Sequence, residues 1–158
     1  MSRRVAIAIG SNLGDRDAAV AFAHRRLSSL LSNVTFSDVV ETWPEGEGAD
    51  DQNLYLNGAA IGDTDLSARE VLDALLAIEQ DFGRERPFRN APRTLDLDLI
   101  LFGDRIVVEG GLEVPHPRFR ERFFVLGPLA EIAPELIDPV SGLTVSQLLV
   151  ALLRDETR

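Results

Sequence analysis

The chain of 158 residues contains no cysteine and no lysine, one methionine, one tryptophan and one tyrosine. The absence of cysteine excludes a disulfide framework and any thiolate metal site, and fits a reducing, cytoplasmic setting. No apolar run approaches the roughly 20 residues that a membrane-spanning helix needs. The amino-terminal apolar stretch, Val5 to Ile9, ends at Gly10 and is too short for a signal peptide, so neither a membrane span nor a secretory leader is expected. Positive charge is also scarce. A formal net charge of -10 repels nucleic acid and anionic lipid, whose non-specific partners carry clustered basic residues. What remains, 45% hydrophobic and 27% charged, is the composition of a globular protein, and the length suits one domain over residues 1–158.

With lysine absent, arginine carries all the fixed positive charge, and eight of the 16 basic residues fall between Arg84 and Arg122. Guanidinium forks match phosphate oxygens two at a time, so a small polyphosphate ligand is one reading of this density. Solvated surface arginine is the other, and composition alone does not separate them.

Periodicity supplies the elements. Arg3 to Ile9 reads as a buried strand running into a turn at Gly10-Ser11-Asn12-Leu13-Gly14, which suggests a turn and helix cap rather than a ligand contact. Asp15 to Leu31 has helical spacing, with Asn33 as the stop. Val34 to Trp43 alternates as a strand with an irregularity at Asp38, Pro44 to Asn53 is an acidic loop, and Leu54 to Ile61 is a further strand. Ser67 and Glu70 form a capping box, with Leu66 and Val71 as the hydrophobic staple, for a helix that Gly83 is expected to end. An arginine-rich loop leads to a strand from Leu95 to Phe102, a turn at Gly103-Asp104 and a returning strand over Arg105 to Val108. Helices are expected around Glu121 to Ile132 and from Val145 to Leu153. The order β-α-β-β-α-β predicts an α+β, ferredoxin-like core with a mainly antiparallel sheet, an added hairpin strand and C-terminal helices.

From Leu95 to Phe102 the alternation is strict, with Leu95, Leu97, Leu99 and Leu101 on one face and Asp96, Asp98, Ile100 and Phe102 on the other. Asp96 and Asp98 are then neighbours roughly 6.5 to 7 Å apart along one strand face. Two carboxylates so placed can converge on a hard cation, or can simply be solvated at a sheet edge. Arg93, just ahead of them, could neutralise the remaining charge of a metal-bound polyphosphate.

The run Arg89-Asn90-Ala91-Pro92-Arg93-Thr94-Leu95-Asp96-Leu97-Asp98-Leu99-Ile100 resembles the hallmark of the hydroxymethyldihydropterin pyrophosphokinases. Similar matches extend over nearly the whole chain: Gly10 to Gly14, Thr42 with Pro44, Tyr55-Leu56-Asn57, Val114-Pro115-His116 and Arg122-Phe123-Phe124. The resemblance implies a monomeric enzyme of folate biosynthesis that transfers pyrophosphate from ATP to 6-hydroxymethyl-7,8-dihydropterin and releases AMP. It implies two Mg²⁺ ions on Asp96 and Asp98, with Arg84 and Arg93 also catalytic. Pterin contacts would come from Thr42, Pro44, Tyr55, Asn57 and Phe124, and ATP contacts from Glu79, Arg84, Arg86, Arg93, His116 and Arg122. Pro44 to Asn53 and Gly83 to Thr94 would close over the ligands. Two other readings stand beside it: a non-catalytic homologue that binds pterin or nucleotide, suggested by departures at Leu76, Asn90 and Pro117, and a ferredoxin-like regulatory or RNA-binding module, suggested by topology alone.

Overall fold

In a computed structural model that describes residues 2–11, 16–42, 55–84 and 95–156, the β-branched run after Arg3 forms the central strand β1 (Arg3–Ser11). Its alternation sends Val5, Ile7 and Ile9 into one core and Ala6 into another. The elements that follow are α1 (Arg16–Leu30), β2 (Ser32–Phe36), β3 (Val40–Thr42), β4 (Tyr55–Thr64), α2 (Ala68–Arg84), β5 (Asp96–Phe102), β6 (Val107–Glu109) and β7 (Leu112–Val114). A 3-10 turn (Phe119–Glu121), α3 (Phe123–Ile132) and α4 (Val145–Glu156) complete the order.

The main sheet runs β2-β4-β1-β5 with β3 also on β4, and each of its pairings is antiparallel. This is the ferredoxin-like arrangement expected. One face packs on α1 and α2 through Phe22, Leu27, Val71, Leu75 and Ile78. The other packs on the 3-10 turn, α3 and α4 through Phe119, Leu126, Leu129, Val145 and Leu148. Among the described residues no helix is long and apolar enough to cross a membrane.

The caps act as their residues dictate. Ser67 Oγ accepts the Glu70 N–H at 3.1 Å while Glu70 Oε1 accepts the Ser67 N–H at 2.9 Å, and Thr144 with Gln147 repeats the box ahead of α4. Gly83 does not stop α2, which continues to Arg84. Asn33 lies inside β2 rather than ending α1, with a positive φ of 51° beside a register shift against β4.

Three strand expectations need correction. The single strand from Val34 is two strands, because buried Ser37 interrupts the ladder: its hydroxyl accepts the Ala59 N–H and donates to the Asp38 carbonyl, and Glu131 of α3 accepts the Asp38 N–H. The alternation in β5 holds through Ile100, which enters the α3/α4 core on the face of Asp96 and Asp98, and breaks after it. A bulge against Ala6 and Ile7 turns Leu101 into that same core and sends Phe102 back to the core holding Leu95, Leu97 and Leu99. The chain after Gly103 does not return along β5. Instead β6 pairs with β7 through a Gly110-Gly111 turn, while polar groups of β5 are met by a side chain and a loop: Glu79 accepts the Leu97 N–H and Ile100 O accepts the His116 N–H.

Candidate functional site

Register explains how residues distant in sequence share one surface. Paired residues of neighbouring antiparallel strands project to the same side, and Gly10 pairs with Asn57 on β4 and with Asp96 on β5. The row Val40, Asn57, Gly10, Asp96 therefore crosses four strands, and the adjacent row contains Ala59, Ala8 and Asp98. Thr42 pairs with Tyr55 one row further out. This surface lies on the α3/α4 side. Beyond the part that α3 covers, a cavity of about 400 Å³ is lined by Ala8, Gly10, Tyr55, Asn57, Asp96, Asp98, Arg122 and Phe124.

The acidic pair sits where the periodicity puts it. Asp96 and Asp98 are exposed, while Leu95, Leu97 and Leu99 between and beside them are buried. Asn57 is 6% exposed and presents an amide, a donor and an acceptor together, to the cavity. Arg122 ends the 3-10 turn and precedes α3, its guanidinium carbon 5.5 Å from the centre of the Phe124 ring. Buried Arg122 Nε has no hydrogen-bond partner among the described residues. A buried, unmatched guanidinium N–H costs free energy unless an acceptor arrives, so this atom marks a place for an anionic or carbonyl oxygen.

A second cavity, of about 430 Å³, lies on the other side of Asp98. Leu72, Leu97 and Leu99 form its apolar wall, the β6-β7 hairpin contributes Val108, Leu112 and Glu113, and His116 closes it. Asp98 lines both cavities. Burial pushes the His116 imidazole below its ordinary value, and Arg122 and Arg118 act in the same direction against the upward pull of Asp98 and Glu113. The ring is thus neutral at pH 7. Its Nδ1 accepts the Arg118 N–H at 3.2 Å, which leaves the proton on Nε2 as a donor.

Glu79, expected at the nucleotide, has its Oε2 on the Leu97 N–H at 2.6 Å, directly between the two aspartates. It ties α2 to β5 at the point where Asp96 and Asp98 project. Of Thr42 and Arg84 the backbone positions alone are described; Pro44, Arg86, Arg93 and the expected closing loop from Pro44 to Asn53 lie outside the described residues, and of the one expected from Gly83 to Thr94 only Gly83 and Arg84 are described, as the last residues of α2. Gly10 and Ser11 correct the start of the turn expected over Gly10 to Gly14: both belong to β1 and Gly10 forms part of the cavity wall, while Asn12 to Gly14 lie outside the described residues. The available signal was a glycine at the end of an otherwise β-branched strand, which can mark close approach of a ligand to backbone. The second cavity also went unread, although Gly110-Gly111 between Val107-Val108 and Leu112 is a hairpin signal.

Among the described residues there is no group of three metal-ligating side chains. The hard oxygen donors of Asp96 and Asp98 suit Mg²⁺, which commonly takes one or two carboxylates and completes its shell with water and substrate phosphates.

A family model described as 7,8-dihydro-6-hydroxymethylpterin-pyrophosphokinase matches residues 6–134. A Pseudomonas aeruginosa protein named 2-amino-4-hydroxy-6-hydroxymethyldihydropteridine pyrophosphokinase is 40% identical over 153 residues, covering 96% of this chain and 93% of that protein. A Bacillus subtilis protein of the same name is 42% identical over 134 residues, 82% of this chain and 78% of that one. With a Synechocystis relative of that name the identity is 54% over 95 residues, and the match spans 60% of this chain and 49% of that protein, about half its length. Among solved structures, a Plasmodium falciparum HPPK-DHPS chain crystallised with pterin and p-hydrobenzoate superposes with a TM-score of 0.76 at 12% identity, over 99% of this chain and 45% of that one. At that identity the likeness concerns the fold.

Proposed function

Since the chain belongs to the 7,8-dihydro-6-hydroxymethylpterin-pyrophosphokinase family, we propose that it transfers the β,γ-diphosphoryl group of ATP to the hydroxymethyl oxygen of 6-hydroxymethyl-7,8-dihydropterin, releasing AMP, as one domain over residues 1–158 acting as a monomer. The observation that carries this reading is the position of Asp98 in the walls of two cavities, one with a hydrogen-bonding amide and aromatic rings, the other with a leucine wall, acidic side chains and a histidine. A transfer between two bound substrates needs their reacting atoms to meet at one charged point.

In the reaction the hydroxymethyl oxygen forms a bond to the β-phosphorus, the bond from that phosphorus to the oxygen bridging the α-phosphate breaks, AMP leaves with the electron pair, and the hydroxyl proton is lost. Asn57 pairs with the polar edge of the pterin, and Tyr55 and Phe124 hold its faces. Thr42 and Pro44 belong to the same end. Arg122 places a donor on a phosphate oxygen, and neutral His116 adds its Nε2–H. Arg84, Arg86 and Arg93 neutralise further oxygens, and Glu79 holds the nucleotide side of β5 in register. Asp96 and Asp98 would hold two Mg²⁺ ions, which when bound supply screening of phosphate charge at the reacting oxygens.

The test is to incubate the protein with MgATP, with and without 6-hydroxymethyl-7,8-dihydropterin, and separate the nucleotides. AMP that appears only with the pterin supports the reading. Pterin binding without AMP would leave a non-catalytic homologue, and ADP would mean a different transfer.

A further inference from the structure

Strand glycines usually have a packing reason. Gly62 does: a Cβ there would stand 2.9 Å from Leu31 Cβ and 3.1 Å from the Ser32 carbonyl oxygen. At Gly58 it would meet the Ser37 hydroxyl at 3.4 Å and Val39 Cγ2 at 3.6 Å. Gly10 differs. Among the described residues a Cβ at Gly10 would meet only Asn57 Oδ1, at 3.5 Å, an ordinary contact, and its φ lies outside the left-handed region. Alanine therefore fits both the backbone and the described residues around it. Yet a glycine in a strand paired on both sides gives up packing and adds chain entropy to the unfolded state. Nothing among the described residues offsets that loss, and what Gly10 faces instead is the cavity it lines.

We propose that Gly10 is a specificity-determining residue for the flat substrate: its missing side chain lets the ring held at Asn57 pass over β1 within van der Waals reach of the Gly10 backbone toward Asp96 and Asp98. Gly10 is the middle member of the row Asn57, Gly10, Asp96, so each flank is one strand spacing away. Two spacings make roughly 10 Å, a gap that a bicyclic ring with a one-carbon arm bridges. Ala8, beside Asp98 in the next row, keeps the floor low on the metal side. A methyl group at Gly10 would occupy the layer the ring needs and lift it from Asn57 and from the acidic pair together. Gly10 does not line the second cavity, so that methyl leaves the nucleotide's contacts there untouched.

This rests on the pterin reading, and the experiment separates the two. Wild type, Gly10→Ala and Gly62→Ala are titrated with 6-hydroxymethyl-7,8-dihydropterin and, separately, with MgATP, and each is melted thermally. The proposal predicts that Gly10→Ala weakens pterin binding by roughly tenfold or more, the scale expected when a methyl group is forced into a filled site. Its MgATP affinity should stay within about twofold and its Tm at or above that of wild type. Gly62→Ala should show the opposite pattern, a lower Tm with pterin affinity retained per folded molecule. Unchanged pterin affinity in Gly10→Ala overturns the proposal while leaving the proposed function standing. A Gly10→Ala protein that does not fold overturns it too, because the space around Gly10 accepts a methyl. Wild type that binds no pterin overturns both.

Discussion

Asp138→Asn should remove a large part of the fold's reserve of stability and of its sensitivity to acid. Asp138 is 0% exposed and accepts from Arg120 Nε at 2.5 Å, Arg120 Nη2 at 3.0 Å, Ser141 Oγ at 2.7 Å and the Val140 N–H at 3.0 Å. Burial alone would push its carboxyl up, but the hydrogen bonds from Arg120, Ser141 and Val140 and the charge of Arg120 outweigh it and hold the carboxyl down at about 2. Set against an ordinary value of 3.8, and at ~1.36 kcal/mol for each pH unit, the ionised form contributes about 2 to 3 kcal/mol. Because the folded value lies below the unfolded one, that contribution is complete above the unfolded value and disappears as the pH falls through about 2. Asparagine keeps the shape but leaves Arg120, whose side chain is 26% exposed, facing a neutral amide, so the loss near neutral pH should be roughly 3 kcal/mol, the lower end for a broken buried pair. For a chain of this size that is a fall in Tm of roughly 6 to 12 °C. Urea unfolding of both proteins from about pH 6 to about pH 2 should show the gap between them narrowing on acidification. A gap under about 0.5 kcal/mol at pH 6, or one that does not narrow, would refute the reasoning.

Other outcomes follow from the site. Glu79→Ala should unpair the Leu97 N–H and cost about 1 to 3 kcal/mol, with weakened Mg²⁺-dependent nucleotide binding, whereas Glu79→Gln, which keeps an acceptor oxygen, should lose much less; equal effects in equilibrium titrations would remove the tether. Asp96→Ala and Asp98→Ala should each abolish pterin-dependent AMP release with Tm within about 2 °C of wild type, because both side chains are exposed; retained turnover would separate the pair from the chemistry. His116, neutral when the site is empty, should gain affinity for a proton once a polyphosphate approaches, so MgATP binding should tighten as the pH falls through the bound-state value. NMR titration of the imidazole with and without nucleotide would show that upward movement, and its absence would place the phosphates elsewhere.

Local rules carried the sequence far. Ser67 with Glu70 marked a helix start because a capping box is complete within four residues, and Leu95, Leu97 and Leu99 marked a strand face because side-chain alternation needs no partner. What failed depends on distant residues. The bulge at Ile100 is set by pairing with Ala6 and Ile7, and the break at Ser37 by Ala59 and by Glu131 of α3. The Arg120–Asp138 pair is held together by chain packing that no spacing rule encodes. The same holds at the site. Asp96, Asp98, Tyr55 and Asn57 could be singled out by type and motif, but the place of Gly10 between Asn57 and Asp96, and of Asp98 between two cavities, exists only once three strands are in register.

The central claim is the transfer of two phosphorus atoms in one step, and phosphorus NMR of the protein turning over MgATP with 6-hydroxymethyl-7,8-dihydropterin reads it directly. The account predicts that ATP is replaced by the single resonance of AMP and the coupled pair of a diphosphate ester on the pterin. Signals of ADP, with a pterin monophosphate or with inorganic phosphate, would contradict it.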